Sequence, residues 1–201
     1  MTCIVGLRSA GEVYIGADSA GVAGLSLAIR KDRKVFRSGE AVIGFSSSFR
    51  MGQLLQYSLT IPSQKQGQSV WSFMVNDVIG AVRSCLRDGG YMTVSDGVDT
   101  GGFFLIGYRG QLFEIESDFQ VNEPASGLSA IGCGGDIALG SLHTTRTMDM
   151  LPAHRALAAL SAAEVYSAGV AGPFFIASTK HEVEPLPAPS FDQVSEPHGH
   201  A

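Results

Sequence analysis

The sequence carries little charge. Lys and Arg number 14 and Asp and Glu 19 among 201 residues, so charged residues make up 16% of the chain, against about 25% in typical globular proteins. The formal net charge is −5, without the basic excess typical of nucleic-acid-binding proteins. The one basic cluster, residues 30–34, is interrupted by Asp32 and is interpreted as a solvated turn. We therefore expect no nucleic-acid partner.

Cysteine and long apolar runs are also scarce. Cys3, Cys85 and Cys133 are odd in number and form no Cys-x-x-Cys pair, which favours a reducing compartment, and we expect a cytoplasmic protein. No apolar run approaches the ~20 residues of a membrane span. The first residues also lack the charged and long apolar regions of a signal peptide. These features predict no membrane partner.

The sequence is rich in glycine and in hydrophobic residues. It has 25 glycines, and hydrophobic residues make up 45% of the chain. This composition excludes a disordered chain, and the length fits one domain. We expect residues 2–180 to form that domain. Residues 181–201, with four prolines and no periodicity, are expected to be a flexible tail.

Apolar periodicity predicts an α+β fold in which hairpins alternate with paired helices, the helices lying outside two stacked sheets. The small, Gly-rich residues 19–28 and residues 91–100 are expected to be loops. The predicted strands are 3–8, 12–17, 34–37, 41–45, 103–108, 111–116, 129–131 and 174–178, and the predicted helices are 49–59, 70–87, 136–148 and 152–167.

The common cofactor and catalytic motifs are missing. The chain has no Gly-x-x-x-x-Gly-Lys run, no His-Glu-x-x-His pair and no Gly-x-Ser-x-Gly elbow. The glycines at 132, 134 and 135 are a poor dinucleotide fingerprint, because Ile137 stands where the last glycine is needed. We therefore expect no cofactor and no metal.

Thr2 is the residue that suggests chemistry. An initiator Met before a small side chain is commonly removed, which would leave Thr2 with a free amine beside its hydroxyl. Such an amine, with an unperturbed pKa of about 7.7–8.0, can act as general base for that hydroxyl. A lone Thr2 would be an ordinary second residue. Here, however, Asp18 and Lys34 follow at an even spacing of 16 residues (18 − 2 and 34 − 18).

This spacing and its surrounding motifs resemble the proteasome β-subunits and the bacterial HslV peptidases, which are N-terminal-nucleophile hydrolases. The resemblance covers most of residues 2–178 and fits both the betaproteobacterial proteasome homologue and other HslV-like proteins. The matching segments are Gly16–Ser19, Asp32–Phe36, Ile43–Ser47, Ala130–Gly135 and Ala138–Gly140.

The resemblance implies a four-layer αββα sandwich and a threonine-type endopeptidase that cleaves peptides and unfolded proteins. Members of the family stack rings of six or seven subunits, so it implies a homo-oligomeric 12- or 14-mer with its active sites inside. The chain has no nucleotide-binding loop of its own. Any ATP-driven unfolding would therefore come from a separate AAA+ unfoldase.

The resemblance also implies roles for individual residues. Thr2 would be the nucleophile, Lys34 would lower the pKa of its hydroxyl or amine, and Asp18 would orient Lys34. Ser48 matches the loop whose backbone N–H groups meet the oxyanion. Cys133 stands where the family has a serine beside the nucleophile, and a thiol is the weaker hydrogen-bonding group.

Substrate contacts follow from the same correspondence. Val22 would offer backbone hydrogen bonds to an extended peptide. Asp32 and Arg50 have opposite charge and could instead pair with each other. The residues expected to line the pocket for the side chain before the scissile bond are Gly21, Asp32, Phe36, Ser46 and Arg50.

Two departures from the family pattern keep other readings open. The family's second Asp should fall within residues 166–169, where the chain has none and Ser167 is the only partial substitute. Ala20 replaces an arginine that often follows the Asp-Ser pair. The alternatives are an N-terminal-nucleophile amidase acting on a small amide and a catalytically weak or inactive ring scaffold.

Overall fold

A computed structural model describes residues 1–95 and 97–186, and within them it has two five-stranded antiparallel sheets. The strands are β1 (Cys3–Ser9), β2 (Glu12–Ala17), β3 (Ala20–Ala23), β4 (Ser26–Ile29), β5 (Val35–Ser38), β6 (Ala41–Phe45), β7 (Thr93–Ser95), β8 (Val98–Thr100), β9 (Phe104–Tyr108), β10 (Gln111–Ile115), β11 (Val121–Asn122), β12 (Leu128–Gly132), β13 (Phe174–Ser178) and β14 (Glu182–Leu186). The helices are α1 (Phe49–Tyr57), α2 (Val70–Ser72), α3 (Ile79–Asp88), α4 (Gly135–Thr144) and α5 (Pro152–Tyr166).

The first sheet has the strand order β12-β1-β2-β13-β14, and the second has the order β11-β10-β9-β6-β5. The strands β3 and β4 form a separate hairpin, as do β7 and β8. The mixed α and β composition expected from the sequence is therefore confirmed.

Alternation along the strands explains how each sheet is covered. Cys3, Val5 and Leu7 of β1 belong to a hydrophobic cluster with α4 and α5, whereas Ile4 belongs to a different cluster. That second cluster joins residues of both sheets, including Ile15 of β2 and Val42, Leu105 and Leu112 of the other sheet. A third cluster packs α1 and α3 against the second sheet. A strand such as β1 is apolar on both faces because helices cover one face of its sheet and the other sheet covers the opposite face.

Several segments differ from the sequence prediction. Residues 19–28 and 91–100 contain the hairpins β3–β4 and β7–β8. The first is hidden from the sequence pattern because β4 is exposed along its whole length and shows no alternation. The predicted helix 70–87 is interrupted by a π-helical segment, Phe73–Val78. Glu182–Leu186, expected within the tail, pairs with β13 as an edge strand, where a proline is tolerated. The remainder of the predicted tail, 187–201, lies outside the described residues.

None of the helices within residues 1–95 and 97–186 has both the length and the apolar character needed to cross a bilayer.

Gly44 tests the packing between the sheets. A Cβ there would lie 2.6 Å from Ile15 Cγ2 and 2.7 Å from Ile4 Cγ2, both on the facing sheet. We expect Gly44→Ala to lower the free energy of unfolding by about 1–3 kcal/mol through overpacking, measured by urea denaturation. Gly80→Ala is the matched control, since a Cβ at Gly80 of α3 meets no atom within 4 Å. That control should be stable or slightly stabilised. Equal losses in the two variants would contradict the close approach.

Candidate functional site

The site lies where strands from both sheets end. The strand β1 pairs with β12 and β2, which brings Thr2 beside Cys133 and Asp18. Lys34 immediately precedes β5, and its carbonyl oxygen accepts a hydrogen bond from the backbone N–H of Phe45 at 2.9 Å. Antiparallel pairing thus gathers residues that are far apart in sequence.

Thr2, Lys34 and Asp18 form a continuous hydrogen-bonded row. Lys34 Nζ donates to Thr2 Oγ1 at 2.8 Å and to Asp18 Oδ1 at 2.7 Å. Asp18 also accepts from the backbone N–H of Cys3 at 3.0 Å and from that of Ala20 at 2.9 Å. The carboxylate is thereby fixed from three sides, and it fixes the lysine in turn.

This row is almost completely removed from solvent. Lys34 and Asp18 are each 1% exposed, and Thr2 is 5% exposed. Burial lowers the pKa of the Lys34 ammonium, and the attraction of the Asp18 carboxylate opposes that shift. An ammonium held this way places a positive charge against the Thr2 oxygen. The basic cluster at 30–34 is therefore not simply a solvated turn, because its last residue is the most deeply buried lysine of the site.

Cys133 and Ser167 lie on the nitrogen side of Thr2. The backbone nitrogen of Thr2 donates to Cys133 Sγ at 3.3 Å, and Ser167 Oγ donates to the same sulfur at 3.4 Å. Gly132 makes the close approach possible, since it has a φ of +93° and a Cβ there would lie 2.2 Å from the Thr2 carbonyl oxygen. The Cys133 thiol thus lies beside Thr2, where the family resemblance places a serine hydroxyl.

Met1 still precedes Thr2 in this chain, so the Thr2 nitrogen is a peptide nitrogen. Thr2 Oγ1 donates to the Met1 carbonyl oxygen at 2.5 Å while accepting from Lys34. Burial strongly raises the pKa of the neighbouring Cys3 thiol. A thiol that ionises so reluctantly is a poor nucleophile.

Ser48 has a structural role at the start of α1. Its side-chain oxygen accepts from the backbone N–H of Arg50 at 3.1 Å and from that of Met51, which caps the helix. Its own N–H donates to the Ser46 carbonyl oxygen at 2.9 Å. Ser47, between them, has a positive φ of 69°. This N-terminus of α1 lines the same cavity as Thr2, through Ser48 and Phe49.

A cavity of about 70 Å³ opens beside Thr2. Of the residues expected to contact substrate, Val22 and Ser46 line it, and so does Ser48. Its lining residues are Met1, Thr2, Val22, Lys34, Phe45, Ser46, Ser47, Ser48 and Phe49. Phe45 and Phe49 were missed by the sequence reasoning, although their positions at the end of β6 and the start of α1 flank the predicted Ser46 and Ser48.

The other predicted substrate residues lie elsewhere. Asp32 and Phe36 line a different cavity of about 300 Å³. Gly21 lies in β3 against the Arg30 side chain, and Arg50 donates to the Gly89 carbonyl oxygen at 3.3 Å. The expected alternative pairing of Asp32 with Arg50 is wrong, because Asp32 pairs with Arg30 at 2.7 Å. Within residues 1–95 and 97–186, no three His, Cys, Asp or Glu side chains are grouped to hold a metal.

The buried ion pair gives a measurable coupling. We expect Asp18→Asn and Lys34→Met each to lower the free energy of unfolding by about 3–5 kcal/mol, because each leaves the other charge buried without a partner. The double variant should lose much less than the sum, as measured by urea denaturation at fixed protein concentration. In Asp18→Asn alone, stability should rise with pH, because the unfolded chain retains the Lys34 proton to higher pH than the folded chain.

The matched control is the exposed pair of Arg8 and Glu123, whose charged atoms are 3.4 Å apart. Alanine substitutions there should couple by less than about 1 kcal/mol. Additive losses at positions 18 and 34 would show that the two side chains do not depend on each other.

No protein-family model and no curated protein sequence matches this chain. Its structure, however, is similar to that of BPH from Thiobacillus denitrificans in complex with Epoxomicin, with a TM-score of 0.73 and 20% identity over 91% of this chain and 100% of that one. It is also similar to HslV from Trypanosoma brucei, with a TM-score of 0.63 and 19% identity over 88% of this chain and 98% of that one. For Anbu, the ancestral beta-subunit of Yersinia bercovieri, the TM-score is 0.62 and the identity 17%, over 90% and 86% of the two chains. The chain therefore has the fold of the proteasome-type β-subunits of the N-terminal-nucleophile hydrolases, in agreement with the sequence resemblance.

Proposed function

We propose that this chain is a threonine-type endopeptidase subunit in which Thr2, after removal of Met1, is the nucleophile. The observation that carries the proposal is the buried Lys34 ammonium, bound to both Thr2 Oγ1 and Asp18. A buried lysine ammonium lowers the stability of the fold unless a charged partner and hydrogen bonds offset its desolvation. Its hydroxyl partner is Thr2, which immediately precedes β1.

The proposed reaction is an acyl transfer. The freed Thr2 amine accepts the hydroxyl proton as Oγ1 attacks the carbonyl carbon of a peptide bond, and Lys34 stabilises the negative charge on that oxygen. The tetrahedral intermediate collapses, the C–N bond breaks, and the amine passes the proton to the departing nitrogen. Water, activated by the same amine, then hydrolyses the ester to release the acid and regenerate Thr2.

The remaining site residues have supporting roles in this proposal. Asp18 holds Lys34, and Cys133, itself hydrogen-bonded by Ser167, holds the Thr2 nitrogen. The Ser48 turn at the N-terminus of α1 meets the oxyanion. The proposed substrate contacts are Val22, through its backbone, and Ser46, because both line the Thr2 cavity.

We further infer a single domain whose layers run helices, sheet, sheet, helices, which the three hydrophobic clusters support. The proposed working form is a cytoplasmic double ring of twelve or fourteen copies. Low charge and the exposed aliphatic side chains of the β3–β4 hairpin, Leu25, Leu27 and Ile29, support burial of surface between copies. A separate AAA+ unfoldase would deliver folded substrates.

Covalent labelling tests the nucleophile directly. Epoxomicin, the compound bound to the similar BPH structure, should add once to each chain that has lost Met1, as seen by intact mass. Thr2→Ala should abolish the adduct and lower cleavage of fluorogenic peptides by about a thousandfold or more. Thr144→Ala, on the outer helix α4, is the matched control and should label normally. A Thr2→Ala variant with full activity would refute the mechanism, and an unlabelled mature chain would favour the inactive scaffold.

Native mass spectrometry tests the assembly. With a chain mass of 21.1 kDa, we expect a closed ring assembly of about 250 kDa for twelve copies or about 300 kDa for fourteen. A stable monomer or dimer that hydrolyses small amides would instead favour the amidase alternative.

A further inference from the structure

The helix α4 has one packed face and one open face. Ala138 and Leu142 are fully buried against α5 and the first sheet. The opposite face carries a stripe at the i, i+3, i+4 and i+7 spacing of one helix side, which consists of Asp136, Leu139, Gly140 and His143. These four residues, the α4 stripe, are exposed and line a groove of about 420 Å³ together with Ser126 and Leu128. The α4 stripe is therefore surface and not core.

Gly140 gives the α4 stripe an unusual shape. It lies in the middle of α4, where glycine is less favourable for the helix than alanine. A Cβ at this position would meet no atom within 4 Å, so packing among the described residues does not require a glycine here. The missing side chain leaves a notch directly beside Leu139, which is 38% exposed. The stripe thus presents a projecting side chain next to a gap.

The two ends of the α4 stripe carry complementary groups. Asp136 lies in the first turn of α4 and His143 in the last. A separation of seven residues spans about 10.5 Å along the helix axis, so the two side chains do not reach each other. Within residues 1–95 and 97–186, neither side chain has a hydrogen-bonding or ionic partner. An imidazole N–H can donate to a carboxylate whether or not the ring is charged, so each group could bind the other type on a second molecule.

One two-fold axis satisfies both the shape and the charges of the stripe. If two copies of α4 pack antiparallel with position 136 opposite position 143, the axis passes midway between positions 139 and 140, because both pairs have the same midpoint. The register that pairs Asp136 with a second His143 therefore also places Leu139 opposite a second Gly140 notch. A face that complements itself in this way is what a two-fold interface requires.

We propose that the α4 stripe binds the α4 stripe of a second copy about this two-fold axis. Leu139 enters the notch of the other copy, and Asp136 pairs with the His143 of the other copy. In the proposed double ring this contact joins one ring to the other, so the inference rests on the proposed assembly. One such contact is small, but six or seven of them act together when the copies are already held in rings.

Charge exchange tests the pairing. Asp136→Lys and His143→Glu should each lower the fraction of full-size particles in native mass spectrometry by about tenfold or more, because each variant sets two basic groups or two carboxylates against one another at every contact. The products should be half-size rings of about 130 kDa for six copies or about 150 kDa for seven.

Mixing the two single variants is the decisive step. Every contact between an Asp136→Lys ring and a His143→Glu ring joins opposite charges, so the mixture should recover full-size particles that contain the two chains in equal amounts. If Asp136 and His143 served only the dipole of their own helix, each chain would keep its defect and mixing would restore nothing. Recovery in the mixture also shows that the single variants fold.

Filling the notch is a second test that changes no charge. Gly140→Leu should block the full-size particle, because the new side chain occupies the space that receives Leu139 of the other copy. Gly80→Leu is the matched control, since a Cβ at Gly80 also meets no atom within 4 Å but lies on α3, which packs on the second sheet. The control should assemble as the wild type does.

The outcomes separate this inference from the proposed chemistry. Full-size particles in the single variants, or a loss that mixing does not repair, would overturn the α4 contact alone. A wild-type protein that stays monomeric would overturn the contact and the assembly together. Failure of the threonine mechanism would appear instead as a mature chain that Epoxomicin does not label, which intact mass reports independently of particle size.

Discussion

The buried contact between Asp18 and Lys34 is the interaction on which the site depends. An ammonium and a carboxylate that are both shielded from water are tolerated only when their remaining hydrogen-bonding capacity is also used. Asp18 uses its capacity on two backbone N–H groups, and Lys34 uses its capacity on the Thr2 hydroxyl. The hydroxyl is therefore part of the electrostatic balance of the core. Its position follows from the same constraint that keeps the two charges together.

The two charged residues are brought together at the ends of strands from both sheets. Thr2 and Asp18 belong to the first sheet, whereas Lys34 leads into the second, so the ion pair links the two sheets at one end. Small residues allow the approach, with Gly44 between the sheets and Gly132 against the Thr2 carbonyl. The arrangement explains why Asp18 and Lys34 lie in the interior of a chain with so few charged residues.

The parts of the molecule that could be predicted are those governed by local pattern or by fixed spacing. The Ile, Val and Tyr content of β1 and β2 indicated strands, and the family resemblance carried by the spacing of Thr2, Asp18 and Lys34 implied that these residues meet. The β3–β4 hairpin was not predicted because β4 is exposed along its whole length and shows no alternation of buried and exposed residues. The partners of Arg30 escaped for a different reason. Whether Asp32 pairs with Arg30 or Arg50, and whether an arginine stacks on Phe49, depends on how a loop and a helix start are oriented in space. No periodicity in the sequence carries that information.

The hydrogen bond from the Thr2 hydroxyl to the Met1 carbonyl oxygen has a consequence for the timing of maturation. In the chain that still carries Met1, the hydroxyl, the ammonium and the carboxylate already occupy their mutual positions. Only the free amine is missing, since the Thr2 nitrogen is still part of a peptide bond. Under the proposed mechanism, the chain that still carries Met1 lacks its general base for a chemical reason rather than a conformational one. In that proposal, hydrolysis of the Met1–Thr2 bond supplies the missing amine to side chains that are already in place.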